Sequence, residues 1–202
     1  MVENSHHLGQ VRITQVQPSG LIFETPSGYL YDPSRRVEVP RIHLSSQGIE
    51  GETTLGERLL DIHHEVHPET HNDGLNAISI GFTSHYCAMR TLFGEHMLDG
   101  TAGENIIIDC DQEIWLPDLG QKVEFQNPDT GKNVSLDVIK IAAPCDEFSH
   151  FAANSQDERL AAEDLKSILQ FLGNGRRGFL LALSAGQESA QVQPGDLVFT
   201  VE

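Results

Sequence analysis

The chain has 202 residues and a formal net charge of -17 with neutral histidines, from 30 acidic and 13 basic residues. Hydrophobic residues make up 39% of it and charged residues 21%, which is typical of a globular chain and excludes disorder as its main state. So acidic a surface repels phosphate backbones and anionic lipid headgroups, which argues against charge-driven binding to nucleic acids or membranes. The length favours one domain over two, so residues 1–202 are predicted to form a single domain.

The sequence pattern predicts neither a membrane-spanning helix nor a cleaved secretory leader. The longest apolar run, residues 179–183, is far shorter than the ~18 residues that a membrane-spanning helix needs. The first ten residues are polar and include His6 and His7 where a leader has an apolar run. We therefore expect a cytoplasmic protein. Its three cysteines are too few and too widely spaced for a disulfide framework, and we expect them to be reduced.

Much of the chain has the pattern of short β-strands separated by turns rich in glycine, proline and aspartate. Many short strands with such turns indicate a barrel or a sandwich rather than alternating strands and helices. In chain order, the predicted strands cover residues 10–16, 21–24, 36–39, 77–81, 105–109, 122–125, 134–141, 178–183 and 197–201.

Two helices are predicted among these strands. The first begins near Thr83, directly after a strand, and ends at Gly94. The second follows Ser155, which forms a capping box with Glu158, and it carries leucines and isoleucine along one face until Gly173 ends it. We expect this apolar face to cover an opening or a flank of the barrel.

Residues 100–105 read Gly-Thr-Ala-Gly-Glu-Asn and lead into an apolar strand. Glycines such as Gly103 let the backbone take a positive φ or approach a ligand closely. Glu104 and Asn105 can offer a carboxylate and an amide to that ligand. The alternative interpretation is a tight turn with a polar tip.

Cys145 follows Pro144 just after the predicted strand 134–141. A thiol at the end of a strand can face a cavity, and its thiolate is a soft metal ligand and a strong nucleophile. The alternative is a small buried hydrophobic residue. Cys87, inside a predicted helix, and Cys110, between acidic residues, are weaker candidates.

Two adjacent arginines, Arg176 and Arg177, lie between Gly175 and Gly178 in a chain that has few basic residues. Guanidinium groups flanked by glycines can form a cradle for an anion. The alternative is the end of a helix followed by solvated surface charge.

Four histidines, His63, His64, His67 and His71, form a cluster in the sequence. The spacing of four residues from His63 to His67, and again to His71, is that of metal ligands on one helical turn. Pro68 interrupts a helix here, and the zinc-protease pattern His-Glu-x-x-His is absent. These features favour a polar loop over a dedicated zinc centre.

Taken together, these motifs resemble a MOSC domain, the module named for the C-terminal part of molybdenum cofactor sulfurase. The order and spacing of the motifs argue against chance agreement, and they cover about residues 48–202, with the strands of residues 10–40 assigned to the same barrel. The chain has Ala142 where many relatives have arginine and Glu52 where they have aspartate. The matching segments are Gly-Ile-Glu-Gly-Glu at 48–52, Gly-Thr-Ala-Gly-Glu-Asn at 100–105, Pro-Cys at 144–145, Gly-Arg-Arg-Gly at 175–178 and Pro-Gly-Asp at 194–196.

The resemblance implies a mainly β fold, a strongly bent β-barrel with a few flanking helices. It also implies binding of the molybdenum cofactor (molybdopterin), an anionic pterin, with Cys145 as the molybdenum ligand or as the carrier of a persulfide. Gly103, Glu104 and Asn105 would shape the pocket, and Arg176 or Arg177 would meet the anionic part of the cofactor. Pyridoxal phosphate binding is a further property that the resemblance suggests.

In function, the resemblance implies an oxidoreductase, in particular a reductase of N-hydroxylated compounds, as some family members are. The chain has no flavin, haem or iron–sulfur motif, so a separate electron-donor protein is implied. Two alternatives stay open. One is a sulfur or cofactor carrier that uses a Cys145 persulfide without turnover, and the other is a zinc-binding or structural module built on the histidine cluster.

Overall fold

The computed structural model describes residues 5–26, 28–70, 78–156 and 160–201. The strands are β1 (Ser5–Val16), β2 (Ile22–Thr25), β3 (Gly28–Tyr31), β4 (Val37–Glu38), β5 (Arg41–Ser45), β6 (Gly48–Glu52), β7 (Arg58–Leu60), β8 (Ile78–Phe82), β9 (Ile106–Asp109), β10 (Lys122–Gln126), β11 (Asn133–Ile141), β12 (Phe179–Leu183), β13 (Ser189–Val192) and β14 (Leu197–Val201). The helices are α1 (Thr83–Phe93), α2 (Leu116–Leu119), α3 (Asp146–Ala152) and α4 (Ala162–Leu172), with a 3-10 turn at Pro33–Arg35.

A closed barrel of seven strands forms the centre of the fold. Its strands follow the order β14, β10, β11, β12, β8, β9 and β1, and β14 closes the barrel by pairing with β1. Neighbouring strands are antiparallel except β8 and β9, which are parallel because the connection between them crosses over through α1. The predicted mainly β fold, a barrel with a few flanking helices, is confirmed.

Two smaller sheets accompany the barrel. Strands β13, β5, β6 and β7 form a four-stranded sheet, and β2 pairs with β3. Strands β3, β5, β6, β7 and β13 are not predicted from the sequence. In β5 the buried side chains of Ile42 and Leu44 alternate with less buried ones, the period of two expected of a strand, but the segment is only five residues long.

The isoleucine run of β9 separates two hydrophobic cores. Side chains alternate along a strand, so Ile106 and Ile108 face the barrel interior while Ile107 faces outward. A second core therefore forms between the outside of the barrel and the helices. Its buried members are Leu21, Tyr31, Tyr86, Met89, Met97, Ala102, Ile107, Phe148, Ala152 and Leu172.

Helix α4 begins at Ala162, so the predicted start directly after Ser155 is wrong. The backbone N–H of Ser155 donates to the carbonyl of His150 at 2.9 Å, and the Ser155 hydroxyl donates to the same carbonyl at 3.3 Å. Ser155 therefore satisfies an exposed carbonyl at the end of α3 instead of capping α4. Glu158, the other member of the predicted capping box, lies outside the described residues.

The last turn of α4 packs against the second core. Leu172 is fully buried there, and Ile168 and Phe171 pack against the core from its edge. The N–H of Gly173 donates to the Leu169 carbonyl at 3.0 Å and ends the helix where predicted. Within the described ranges, every helix is too short or too polar to cross a membrane.

His85 ties α1 to the loop that follows β9. Its side chain is fully buried and stacks on the ring of Trp115, with 5.2 Å between the ring centroids. Its Nε2 atom accepts a hydrogen bond from the backbone N–H of Ile114 at 3.2 Å. Burial lowers the pKa of His85 from its ordinary 6.5 to about 4, because a charged imidazolium would lose its hydration.

We expect the protein to lose stability as the pH falls from about 6.5 to about 4, because unfolded His85 binds a proton in this range and folded His85 does not. The shift corresponds to about 3 kcal/mol of unfolding free energy lost at the acidic end. Urea unfolding of wild type and His85→Gln at about pH 7 and about pH 4.5 measures it. The variant should lose less stability between the two pH values, and exposed His6→Gln, the control, should behave like wild type. Equal losses in wild type and His85→Gln would contradict the assignment.

Candidate functional site

Three segments that are far apart in the sequence meet beside the second core. Glu104 lies two residues before β9, Cys145 directly before α3, and Arg177 two residues before β12. Glu104 is hydrogen-bonded to Tyr86 of the second core, the Arg177 guanidinium lies 5.9 Å from the ring of Phe148 in the same core, and Cys145 packs against that core. Tyr31 and Tyr86 of that core complete the group, which we call the Cys145 cluster.

Glu104 is fully buried in this cluster. Its Oε2 atom accepts a hydrogen bond from the Tyr86 hydroxyl at 2.7 Å, and the Tyr86 oxygen accepts one from the backbone N–H of Ala102 at 2.9 Å. Its Oε1 atom is buried without a hydrogen-bond partner among the described residues. Burial raises the pKa of Glu104, and the opposing effects of the Arg177 charge and the Tyr86 hydrogen bond are smaller.

Two glycines leave the space that the Glu104 carboxyl occupies. A Cβ atom at Gly81, in β8, would lie 2.6 Å from Glu104 Oε1. A Cβ atom at Gly178 would lie 3.1 Å from Glu104 Cγ and 2.5 Å from the Ile80 carbonyl oxygen. Gly178 also has a φ of 110°, which favours glycine. The second glycine of the Gly-Arg-Arg-Gly motif is thus required for packing around Glu104.

Cys145 is partly buried at the N-cap of α3, where its Sγ atom accepts a hydrogen bond from the backbone N–H of Phe148 at 3.5 Å. Burial raises the pKa of the Cys145 thiol, although the Phe148 N–H and the Arg177 charge oppose this. The sulfur is therefore protonated at neutral pH, and a metal that binds it must displace the proton. Exposed Cys87, on α1, and Cys110, after β9, lie outside the cluster.

The two adjacent arginines have different surroundings. The Nε atom of Arg177 is buried with no hydrogen-bond partner in the described part of the chain, and its guanidinium carbon lies 5.9 Å from the centre of the Phe148 ring. Arg176 instead donates to Glu113 Oε1 at 3.2 Å and to the Phe171 carbonyl at 3.0 Å. Arg177 therefore belongs to the Cys145 cluster, whereas Arg176 ties the end of α4 to the loop after β9.

Asn105 stabilises the segments around the site through hydrogen bonds of its side-chain amide. Its Oδ1 atom accepts hydrogen bonds from the backbone N–H of Ser79 at 3.1 Å and from the Ser79 hydroxyl at 2.7 Å. Its Nδ2 atom donates to Asp61 Oδ2 at 3.0 Å and to the Gln15 carbonyl at 3.4 Å. These bonds use the full capacity of the amide. Asn105 thus joins β8, β1 and the segment after β7, and it has no group left to offer a ligand.

Two glutamines of the N-terminal region hold the loop at residues 100–105. Gln15 Nε2 donates to the Gly100 carbonyl at 2.9 Å, and Gln17 Nε2 donates to the Gly103 carbonyl at 2.6 Å. The segment is therefore a tight turn that also brings Glu104 into the cluster, and its binding of a ligand stays a prediction. Gly103 contributes through its backbone.

The roles of the two tyrosines of the cluster are not predicted from the sequence. Tyr86 is predicted as part of a helix, but no sequence signal indicates that its hydroxyl meets Glu104. The Tyr31 hydroxyl donates to the Thr101 carbonyl at 2.8 Å, and burial raises the pKa of Tyr31. Tyr31 belongs to β3, a strand that the sequence analysis does not predict.

The predicted histidine cluster forms a hydrogen-bonded turn. His63 Nδ1 lies 2.8 Å from Asp61 Oδ1, and the Nδ1 atoms of His64 and His67 each accept a nearby backbone N–H, at 3.3 and 3.1 Å. Among the residues that the structure describes, no three His, Cys, Asp or Glu side chains gather as metal ligands would. His71 lies outside the described residues.

The first and last of the sequence motifs lie outside the Cys145 cluster. Glu52 is on β6, where its Oε2 atom lies 2.6 Å from His43 Nε2. Asp196 is buried in the turn before β14 and accepts a hydrogen bond from Asn127 Nδ2 at 2.8 Å. Both carboxylates therefore stabilise strand connections.

A polar cavity of about 740 Å³ lies between the four-stranded sheet and the turn that joins β10 to β11. Side chains that line it include Arg41, Lys132 and Gln191, and none of them belongs to the Cys145 cluster. The sequence motifs do not predict this cavity.

Comparison with solved structures finds a similar fold in the YuaD protein from Bacillus subtilis, with a TM-score of 0.57 and 11% sequence identity over 100% of both chains. YiiM from Geobacillus stearothermophilus has a TM-score of 0.47 and 14% identity, over 98% of this chain and 75% of YiiM. No protein-family model matches the chain, and no curated protein matches it by sequence. The likeness to YuaD extends over the whole chain and shows a shared fold.

We expect Asn105→Ala to lower the free energy of unfolding by about 2–4 kcal/mol, because it removes the acceptor of two partly buried Ser79 donors and one of the donors to buried Asp61. Urea unfolding measures the change. Asn133→Ala, at an exposed position in β11, is the control and should change stability by less than about 0.5 kcal/mol. Similarly small changes in the free energy of unfolding for the two substitutions would show that Asn105 does not stabilise the site.

Proposed function

We propose that this chain is a MOSC-type protein that binds the molybdenum cofactor at the Cys145 cluster, with Cys145 as the sulfur ligand of molybdenum. One observation carries the proposal. Glu104, Cys145 and Arg177 come from three separate motifs that resemble those of the MOSC family, and they gather around one side of the second core.

The residues of the cluster suit such a cofactor. Cys145 offers a soft sulfur ligand. Arg177 Nε and Glu104 Oε1 are buried polar atoms without a partner in the described residues, so both retain hydrogen-bonding capacity for a ligand. Of the two arginines, Arg177 takes the anionic part, because Arg176 is bound to Glu113. The cluster has no lysine, the residue that holds pyridoxal phosphate as a Schiff base, so it does not suit that coenzyme.

When bound, the cofactor supplies redox chemistry at its metal, and the protein supplies a ligand, orientation and charge. Cys145 would hold the metal through its deprotonated sulfur, and the proton that burial keeps on the thiol would leave on binding. Arg177 would place a positive charge beside an anionic ligand in a chain whose net charge is -17. Asn105, through its bonds to three segments, would keep the loop that carries Glu104 in place.

The reaction that the family resemblance favours is a reduction, with N-hydroxylated compounds as the substrate class. The electrons would come from a separate donor protein, since the sequence has no flavin, haem or iron–sulfur motif. A sulfur carrier is the second candidate, and the partly exposed position of Cys145 favours it, because a carrier must present its persulfide to a partner. The two candidates differ in whether turnover follows binding.

Molybdenum analysis tests the proposal directly. The protein is expressed in a host that makes the cofactor, and molybdenum per chain is measured by elemental analysis. We expect molybdenum in wild type and background levels in Cys145→Ser, because serine lacks the soft sulfur ligand. Cys87→Ser, an exposed cysteine outside the cluster, is the matched control and should keep the wild-type content.

Equal molybdenum in wild type and Cys145→Ser would show that Cys145 is not the ligand. Absence of the metal from all three proteins would count against cofactor binding and favour the carrier. Mass spectrometry then decides the carrier function, since it detects a persulfide on Cys145 directly. Circular dichroism spectra of the variants show whether each one is folded.

A further inference from the structure

We propose that β13 is a docking edge for an extended peptide, which adds a strand to the four-stranded sheet and lies in the polar cavity beside it. Strand β13 is the last strand of that sheet and pairs with β5 alone among the described strands. A free strand edge has a row of main-chain donors and acceptors, and another extended chain is the ligand that matches them. The inference goes beyond the proposed function, since no residue of the Cys145 cluster lines the cavity.

The pairing register shows which main-chain groups of β13 bond to β5. In antiparallel pairing, the N–H and C=O groups of successive residues face opposite edges of the strand. The Ile49 carbonyl, on β6, accepts the N–H of Asp61 at 3.1 Å, so the main chain of Ile49 faces away from β5. Leu44, opposite Ile49 on β5, therefore faces β13, where it pairs with Ala190. The main-chain groups of Ala190 are thus bonded to β5.

The neighbours of Ala190 in β13, Ser189 and Gln191, consequently have their N–H and C=O groups on the free edge. Both residues are exposed, and no other backbone group in the described part of the chain is hydrogen-bonded to them there. Folded proteins protect such edges with charged side chains, proline or bulges. Strand β13 reads Ser-Ala-Gln-Val and pairs with β5 in a regular register, so it has none of these three protections.

The cavity beside this edge can hold an extended segment with polar side chains. Its volume of about 740 Å³ is in the range of ligand-binding sites. Ser189, Ala190 and Gln191 all line it, although successive side chains of a strand point to opposite faces, so the cavity reaches the main chain of β13. Of the described lining residues, Leu44, Val134 and Ala190 are the only apolar ones. An apolar peptide side chain would therefore find little apolar surface to contact.

The charges along the cavity are balanced when histidine is neutral. Three basic side chains line it together with three carboxylates: Arg41, Arg58, Lys132, Glu50, Asp129 and Asp196. A charged peptide would lose hydration there without meeting a surplus of opposite charge. The structure therefore assigns the edge to a peptide of polar side chains and no net charge, whose affinity comes from main-chain hydrogen bonds.

Amide hydrogen exchange, followed by NMR, tests the free edge before any ligand is added. The N–H groups of Ala190 and Val192 should exchange slowly, because they face Leu44 and Ile42 of β5. Those of Ser189 and Gln191 should exchange about tenfold faster or more, because the edge that they face is open. Equal protection of the four amides in monomeric protein would overturn the inference, since it would show that the edge is already paired.

A displayed library of random heptapeptides supplies the probe, and calorimetric titration of the full chain measures the affinity of the best binder. Bound peptide should slow amide exchange at Ser189 and Gln191. N-methylation of every second peptide residue should weaken binding about tenfold or more, and methylation of the residues between them should have far less effect, because alternate N–H groups of a strand face its partner. A library without a binder, or binding without this alternation, would overturn the proposal.

Gln191 provides a matched pair of variants. Gln191→Pro removes one main-chain donor from the free edge, where proline is tolerated, and it should weaken peptide binding about tenfold or more. Gln191→Ala keeps the N–H group and should bind like wild type. Equal affinity of the two variants would overturn the role of the edge. If Gln191→Pro does not fold, the alternation among the methylated peptides decides the question.

Sedimentation of the peptide-free protein tests whether a second copy of the chain takes the peptide's place. We expect monomers of wild type and of both Gln191 variants. A dimer that persists in Gln191→Ala and dissociates in Gln191→Pro would assign the edge to self-association and overturn the peptide as its ligand. The molybdenum content of Gln191→Pro should equal that of wild type, because Gln191 lies outside the Cys145 cluster, so this proposal and the proposed function can fail separately.

Discussion

The burial of one carboxyl group, that of Glu104, constrains the architecture of the whole site. The group lies against β8 and the start of β12, and it fits because neither Gly81 nor Gly178 has a Cβ atom. Among the described residues, its hydrogen-bond donor is Tyr86, on the helix that connects β8 to β9. Strand pairing, the crossover helix and the glycines therefore have to be correct together for this carboxyl to be accommodated.

Around that carboxyl the residues of the sequence motifs have two roles. Glu104, Cys145 and Arg177 have side chains in the cluster, whereas Asn105 and Arg176 hold neighbouring backbone in place. Adjacent residues of one motif thus have different roles, one with its side chain in the cluster and the other stabilising the backbone. Both pairs lie in turns or loops, where neighbouring side chains leave the backbone in different directions.

The sequence predicts the barrel better than it predicts the site. Long apolar strands such as β11 and β12, and turn residues such as those before β14, have strong local signals, and the isoleucines of β9 identify a strand buried on both faces. Short strands such as β7 have too few residues for a pattern. The partners of Glu104 depend on packing between distant segments, so neither Tyr86 nor Gly81 had a signal that local reasoning could detect. The predicted start of α4 is wrong because Ser155 donates hydrogen bonds to the His150 carbonyl at the end of α3, a local contact that the capping pattern does not reveal.

The closure of the barrel through β1 and β14 has a consequence for folding. Ser5 pairs with Val201, so the strand pairing that closes the barrel joins the two ends of the described chain. Contacts between residues so far apart in sequence are slow to form, because a long loop must close before they stabilise anything. Until β1 and β14 pair, each of these strands has an unpaired edge, which is prone to pairing with other chains. The late pairing of β1 with β14 therefore leaves the incompletely folded protein vulnerable to aggregation.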